Sequence, residues 1–105
     1  MKIAINATDK GHFKLSDLAK EKIAERKGIK SDKLRSYRYE NRADPDLIAV
    51  VGELGAAASG GKSDIHVIET PDSVEKYVIY EYDGLEIIIE AGHYWDYGNH
   101  YEASN

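Results

Sequence analysis

The chain has no cysteine, which excludes disulfides, thiol nucleophiles, thiolate zinc sites and iron–sulfur clusters together. Metal binding would have to use histidine and carboxylate. No stretch approaches the roughly 20 consecutive apolar residues of a membrane span, and the apolar run in Met1–Asn6 is too short for a signal peptide. The expectation is a soluble, intracellular protein. Positive charge is nearly absent from the second part of the chain: residues 64 to 105 hold one Lys+Arg against ten Asp+Glu, whereas residues 1 to 63 hold 13 against nine. The formal net charge of -5 therefore conceals a basic part of +4 and an acidic part of -9. Clustered charges of one sign add their fields and steer a basic partner. Solvated acidic faces are the plainer account.

The 105 residues fit one domain, 1–105, with a single core, and the aromatic-rich stretch 91–105 forms a C-terminal extension. Ile3 and Ile5 alternate with Lys2 and Ala4 as in a strand with one buried face. Ser16 reads as an N-cap, followed by Leu18, Ala19 and Ile23 at helical spacing until Gly28. Arg35 to Glu40 alternates basic or polar groups with tyrosines and reads as a short exposed strand. Asp44-Pro45 begins a second helix, with Leu47, Ile48, Val51 and Leu54 on one stripe and Gly55 as its stop.

Residues 55 to 63 end in Gly-Lys-Ser, the close of a phosphate-binding loop. The required glycine six residues before Lys62 is Ala56, and a helix precedes where a strand should. A mobile loop or small-residue hinge is the better reading, with Lys62 able to touch an anion. Ile65 and Val67 then form a strand that Pro71 terminates. Tyr77 to Tyr82 and Leu85 to Glu90 flank Asp83-Gly84, the signature of a type I′ hairpin. That register pairs Tyr82 with Leu85, Tyr80 with Ile87 and Val78 with Ile89, and this face is expected to be the core face. The fold class is α+β: an antiparallel or mixed sheet of four to five strands with two helices on one face. The tail is either a docked extension or an interaction segment.

Glu81 and Glu86 should oppose one another across the hairpin, and like charges so placed need a compensating group. As an exposed pair they are expected to be solvated and not catalytic. His93, Asp96 and His100 have ligand spacing only in a helix, which Gly92 and Gly98 oppose, so no metal site is expected. Arg35, Tyr37, Arg38, Tyr39 and Arg42 combine phosphate-gripping and base-stacking groups. Pairing of these arginines with the acidic hairpin face is the preferred account.

Met1-Lys2-Ile3-Ala4-Ile5-Asn6 with Gly11-His12-Phe13-Lys14-Leu15-Ser16, then Asn41 to Ile48, Val67 to Asp72 and Glu81 to Glu86, together resemble a family of small phage and prophage proteins. The likeness spans about residues 1 to 95. It departs at His12, where a second glycine is commoner, and at Gly92-His93-Tyr94-Trp95, where a histidine–arginine pair precedes the tryptophan. The chain is similar to the type II-A anti-CRISPR proteins. That resemblance implies a counter-defence inhibitor, not an enzyme, that needs no cofactor and blocks a type II Cas nuclease or its guide complex. Its partner-binding residues would be an acidic face of Glu81, Asp83, Glu86 and Glu90 and the aromatic tail residues Tyr94, Trp95 and Tyr97. The alternative is an oligomeric sponge for a cyclic nucleotide signal, in which Arg38, Arg42 and Lys62 bind the anion. A phage accessory protein without a host target is the third reading.

Overall fold

The structure is a computed structural model and describes residues 1–102. Strand β1 (Lys2–Asn6) is followed by helix α1 (Asp17–Lys27), helix α2 (Pro45–Leu54) and strand β2 (Ile65–Glu69). Strands β3 (Val78–Tyr82), β4 (Leu85–Glu90), β5 (His93–Asp96) and β6 (Asn99–Glu102) complete it. The fold is α+β and antiparallel, but its strands divide into two sheets: β1 with β2, and the meander β3-β4-β5-β6.

Both helices begin and end where their capping residues dictate. The Ser16 hydroxyl accepts from Ala19 N at 3.1 Å, and Gly28 closes α1 in the left-handed conformation, its amide reaching the Ala24 and Glu25 carbonyls. Asp44 caps α2 through Leu47 N, with Pro45 in the first turn, where a missing amide proton costs nothing. Lys27 from the end of α1 reaches Asp44 and Asp46 at the start of α2, which ties two oppositely polarised helix ends together.

The molecule is layered. Ala19, Ile23, Leu47, Val50 and Val51 of the helices pack on Ala4 and Ile65, which lie on one face of the β1–β2 sheet. Ile3, Ile5 and Ile68 project from the other face and pack on Ile79, Ile88 and Trp95 of the meander. Thus the two-stranded sheet is the middle layer, with the helices on one side and the meander on the other.

Two sequence expectations fail here. Residues 34–38 form no strand; the segment runs into a single 3-10 turn, Tyr39–Asn41. Tyr37 donates instead to the Asp44 carboxylate at 2.6 Å, and Arg42 turns inward. Nor is the stretch 55–63 a hinge. Gly55–Ala58 is a 3-10 turn, Ser16 N donates to Ala58 O, and Gly60 N donates to Lys14 O. Ser59 Oγ accepts from Ile65 N and Ser63 Oγ donates to Lys14 O. A Cβ on Gly60 would sit 2.6 Å from the Leu15 carbonyl oxygen. Small residues are needed there because the loop lies against the chain entering α1.

The tail is a docked extension. Residues 93–102 form the hairpin β5–β6, which extends the meander by pairing β5 with β4; residues 103–105 of the tail lie outside the described residues.

Candidate functional site

The hairpin register is the one that Asp83-Gly84 specifies: Tyr82 faces Leu85, Tyr80 faces Ile87 and Val78 faces Ile89. Asp83 and Gly84 both take positive φ, 51° and 95°, as a type I′ turn requires. The face that points to the core is the opposite of the expected one. Ile79, Glu86, Ile88 and Trp95 are buried, while Val78 is 61% exposed, Tyr80 54%, Tyr82 71%, Leu85 37%, Tyr94 39% and Tyr101 40%.

A buried ion pair explains the inversion. Glu86 is 2% exposed, and its two oxygens accept from Arg42 Nη1 at 2.6 Å and Nη2 at 2.9 Å. A third donor, Asn6 N, reaches Glu86 Oε1 at 2.7 Å. The guanidinium also donates to Ala4 O at 3.3 Å and lies 3.5 Å from the centre of the Phe13 ring. A carboxylate is tolerated inside only with such a bidentate partner and further donors. With Glu86 satisfied, the Glu-bearing face can turn inward and carry Ile79 and Ile88 with it. Arg42 is therefore the group that compensates the opposed Glu81 and Glu86. Glu81 has its own contacts, with His12 Nδ1 at 3.4 Å and with Gly84 N.

Asn6 locks this junction from the other side. Its side-chain amide donates to the carbonyls of Thr8, Gly11 and Gly84, and its carbonyl oxygen accepts from Asp64 N. Gly84 has no room for a side chain, since an added Cβ would meet Gly11 O at 2.1 Å. Above the ion pair lies a pocket of about 590 Å³ lined by His12, Phe13, Tyr37, Arg38, Tyr39 and Glu81, among others.

Along the α2 entrance, ionisation is set by short contacts. Burial pushes the Tyr37 hydroxyl well above its ordinary value, and its bond to Asp44 adds to the effect. Burial also tends to raise Asp44, but hydrogen bonds from Tyr37 and Lys27 outweigh it and leave the carboxyl below its usual value. Hydrogen bonds to Asp44 and Asp46 raise Lys27. Burial raises Tyr77, which Arg42 partly counters.

The residues expected to form an acidic partner face are thus dispersed. Glu86 is inside and paired with Arg42, and so is unavailable to a partner. Glu81 lies on the same inward face beside His12, Asp83 is exposed in the turn, and Glu90 is half-buried at the end of β4. Of the aromatic tail, Trp95 is 4% exposed and belongs to the core. Its alternation with Tyr94 along β5 forces this, because only one of two neighbours on a strand can face inward. Tyr94 lies on the outer face, stacked on Tyr101 with ring centres 4.9 Å apart. Tyr97 is exposed in the β5–β6 turn and stacks on His66 at 3.7 Å.

Of the anion-binding candidates, Arg42 is consumed by Glu86, Arg38 is exposed at the same pocket, and Lys62 is exposed elsewhere with its backbone against Gly11. His93 and His100, far from helical, meet across the β5–β6 hairpin with Nδ1 and Nε2 3.0 Å apart. Among the described residues no group of three or more His, Asp or Glu side chains is placed to hold a metal ion.

The outer face of the meander was missed by sequence reasoning in sign, not in membership. Val78, Tyr80, Tyr82, Leu85, Ile87 and Ile89 share it, with Tyr94 and Tyr101 added by the register of β5 and β6. None of these side chains is charged. Residues 78–102 contain no lysine or arginine; of their carboxylates Glu81, Glu86, Glu90 and Glu102 alternate onto the inner face, Asp83 lies in the turn, and half-buried Asp96 alternates onto the outer face. No family model, curated protein or solved structure matches this chain.

Proposed function

We propose that this protein is a binding protein and not an enzyme: a phage counter-defence inhibitor that docks through the outer face of the meander onto a type II CRISPR nuclease effector. The observation that carries the docking part is the outward sheet face with four exposed tyrosines, whose one charged strand residue is half-buried Asp96. Contiguous apolar surface of this kind marks interaction sites, and tyrosine is among the commonest interface anchors because it combines a large apolar ring with a hydrogen-bonding tip. Exposed Asp83 in the β3–β4 turn and half-buried Asp96 at the end of β5 border the face, which gives an acidic rim about an apolar centre. Such a rim suits the basic nucleic-acid channel of an RNA-guided nuclease. The choice of that effector rests on the resemblance to type II-A anti-CRISPR proteins.

The test is co-elution of the purified protein with the nuclease–guide complex together with a DNA cleavage assay. Inhibition that disappears in Tyr80→Lys supports the reading, and no association at micromolar concentration in low salt overturns it. A cyclic nucleotide sponge would need free cations, and the one best placed, Arg42, already holds Glu86. Thermal-shift measurement against cyclic dinucleotides and cyclic ADP-ribose isomers tests that reading separately, and a raised melting temperature would restore it.

A further inference from the structure

Besides the proposed target, the outer face of the meander fits a second copy of the same chain. We infer that the free protein covers it by self-association, two meanders packing face to face about a twofold axis. This rests on the reading of that face as a docking surface, but not on the identity of the target.

The first argument is area. With a tyrosine offering about 200 Å², the exposed fractions of Tyr80, Tyr82, Tyr94 and Tyr101, together with Val78 and Leu85, leave about 600 Å² per copy. Two copies would bury about 1,200 Å², the lower bound of a specific interface. Face-to-face packing of antiparallel sheets about 10 Å apart provides the geometry.

Charge is the second argument, and it favours a second copy. The chain carries a formal charge of -5, so most of its surfaces repel themselves. Alternation sends Glu81, Glu86 and Glu90 to the other side of the sheet, and half-buried Asp96, at the end of β5, is the one charged strand residue that it leaves on this face. Two copies can therefore meet through Tyr80, Tyr82, Tyr94 and Tyr101, with Asp96 the one strand carboxylate to be kept apart. A twofold axis would also place the Tyr94–Tyr101 stack of each copy symmetrically, as an isologous interface requires.

The consequence is competition. A partner that docks on this face must first separate the pair, so inhibitory potency would fall as the protein is concentrated above its dimer dissociation constant.

Sedimentation equilibrium of the full chain across a wide concentration range tests this directly. The expected result is a rise from 11.7 kDa towards twice that mass. Tyr80→Lys, and independently Val78→Lys, should each weaken the dimer by about 100-fold. Tyr97→Lys, exposed but in the turn off this face, should leave it unchanged, with circular dichroism confirming that each variant folds. A monomer at every concentration would overturn the inference, as would a dimer that both face variants leave intact, the outcome expected of edge-to-edge pairing through β6. Nuclease co-elution with the same variants separates the two claims. A monomeric wild type whose co-elution is abolished by Tyr80→Lys retains the docking face and loses the dimer; a dimer that never binds nuclease retains the self-association and loses the target.

Discussion

Replacing Glu86 by glutamine removes a charge while keeping the shape of the side chain. Arg42 would then sit 3% exposed with no counter-ion, retaining Ala4 O at 3.3 Å, the Phe13 ring and one hydrogen bond to the glutamine carbonyl oxygen. Breaking a buried pair by removing one partner costs about 3–5 kcal/mol, against a total stability of about 5–15 kcal/mol for a domain of this kind. With a urea dependence of about 2 kcal/mol per molar, the midpoint should fall by about 2 M. Arg42→Met should cost a similar amount, because Glu86 keeps only the Asn6 amide. The double variant Arg42→Met/Glu86→Leu should recover much of the loss, since well-packed apolar residues often replace a buried pair at little cost. The exchanged pair Arg42→Glu/Glu86→Arg should not recover it: Asn6 N would face a cation, and Ala4 O would face an anion. Urea unfolding of the wild type and the four variants, followed by tryptophan fluorescence of the buried Trp95, supplies the comparison. If Glu86→Gln loses less than about 1 kcal/mol, a typical figure for an exposed pair, the ion pair cannot be what turns the Glu-bearing face inward.

Gly84→Ala meets both a positive φ and a Gly11 carbonyl oxygen at 2.1 Å, so it should lose roughly 2 kcal/mol or more, whereas Gly98→Ala, with positive φ but open space, should lose less in the same urea assay. Asp44 has a folded pKa below its unfolded one, so its contribution is present above about pH 4 and is lost as pH falls through the folded value. Asp44→Asn keeps a competent helix cap and should flatten that acid limb of the stability curve, measured by thermal unfolding. Tyr37 and Tyr77 are shifted upward, so what they contribute holds below about pH 10 and fades above it; in a phenolate absorbance titration both should ionise after the exposed tyrosines, and Tyr37→Phe should remove part of the late phase.

What could be read in the sequence was local. Ser16, Gly28, Asp44-Pro45 and Gly55 act within one helical turn, and Asp83-Gly84 sets a register through backbone conformation alone, so these features need no knowledge of the rest of the chain. Which face of that hairpin is buried is a different kind of fact. Tyr80 and Tyr82 with Val78 look more apolar than Glu81 and Glu86 with Ile79, and by hydrophobicity they belong inside. The outcome turns on Arg42, 44 residues from Glu86, and on the Asn6 amide, 80 residues away. Arginine pairing with the acidic hairpin was anticipated as a chemical preference. That it would occur inside, and so expose the tyrosines, depends on where β1 places Asn6 and Ala4. The expected strand at residues 35–40 failed for a related reason: an alternating pattern makes a strand only where a sheet edge receives it, and Tyr37 was already held by Asp44.

The middle layer has a consequence for how the molecule assembles. The meander is built from adjacent strands joined by tight turns, and the helices carry their own caps, so both outer layers rest on contacts that close quickly. The layer between them pairs residues from Lys2 with Glu69 to Asn6 with Ile65, and it supplies an inner wall to both cores at once. Neither outer layer has its full core until that distant pairing forms. The two-stranded sheet should therefore set the folding rate, with side chains of β1 participating in the transition state more than those of the four-stranded sheet beside it.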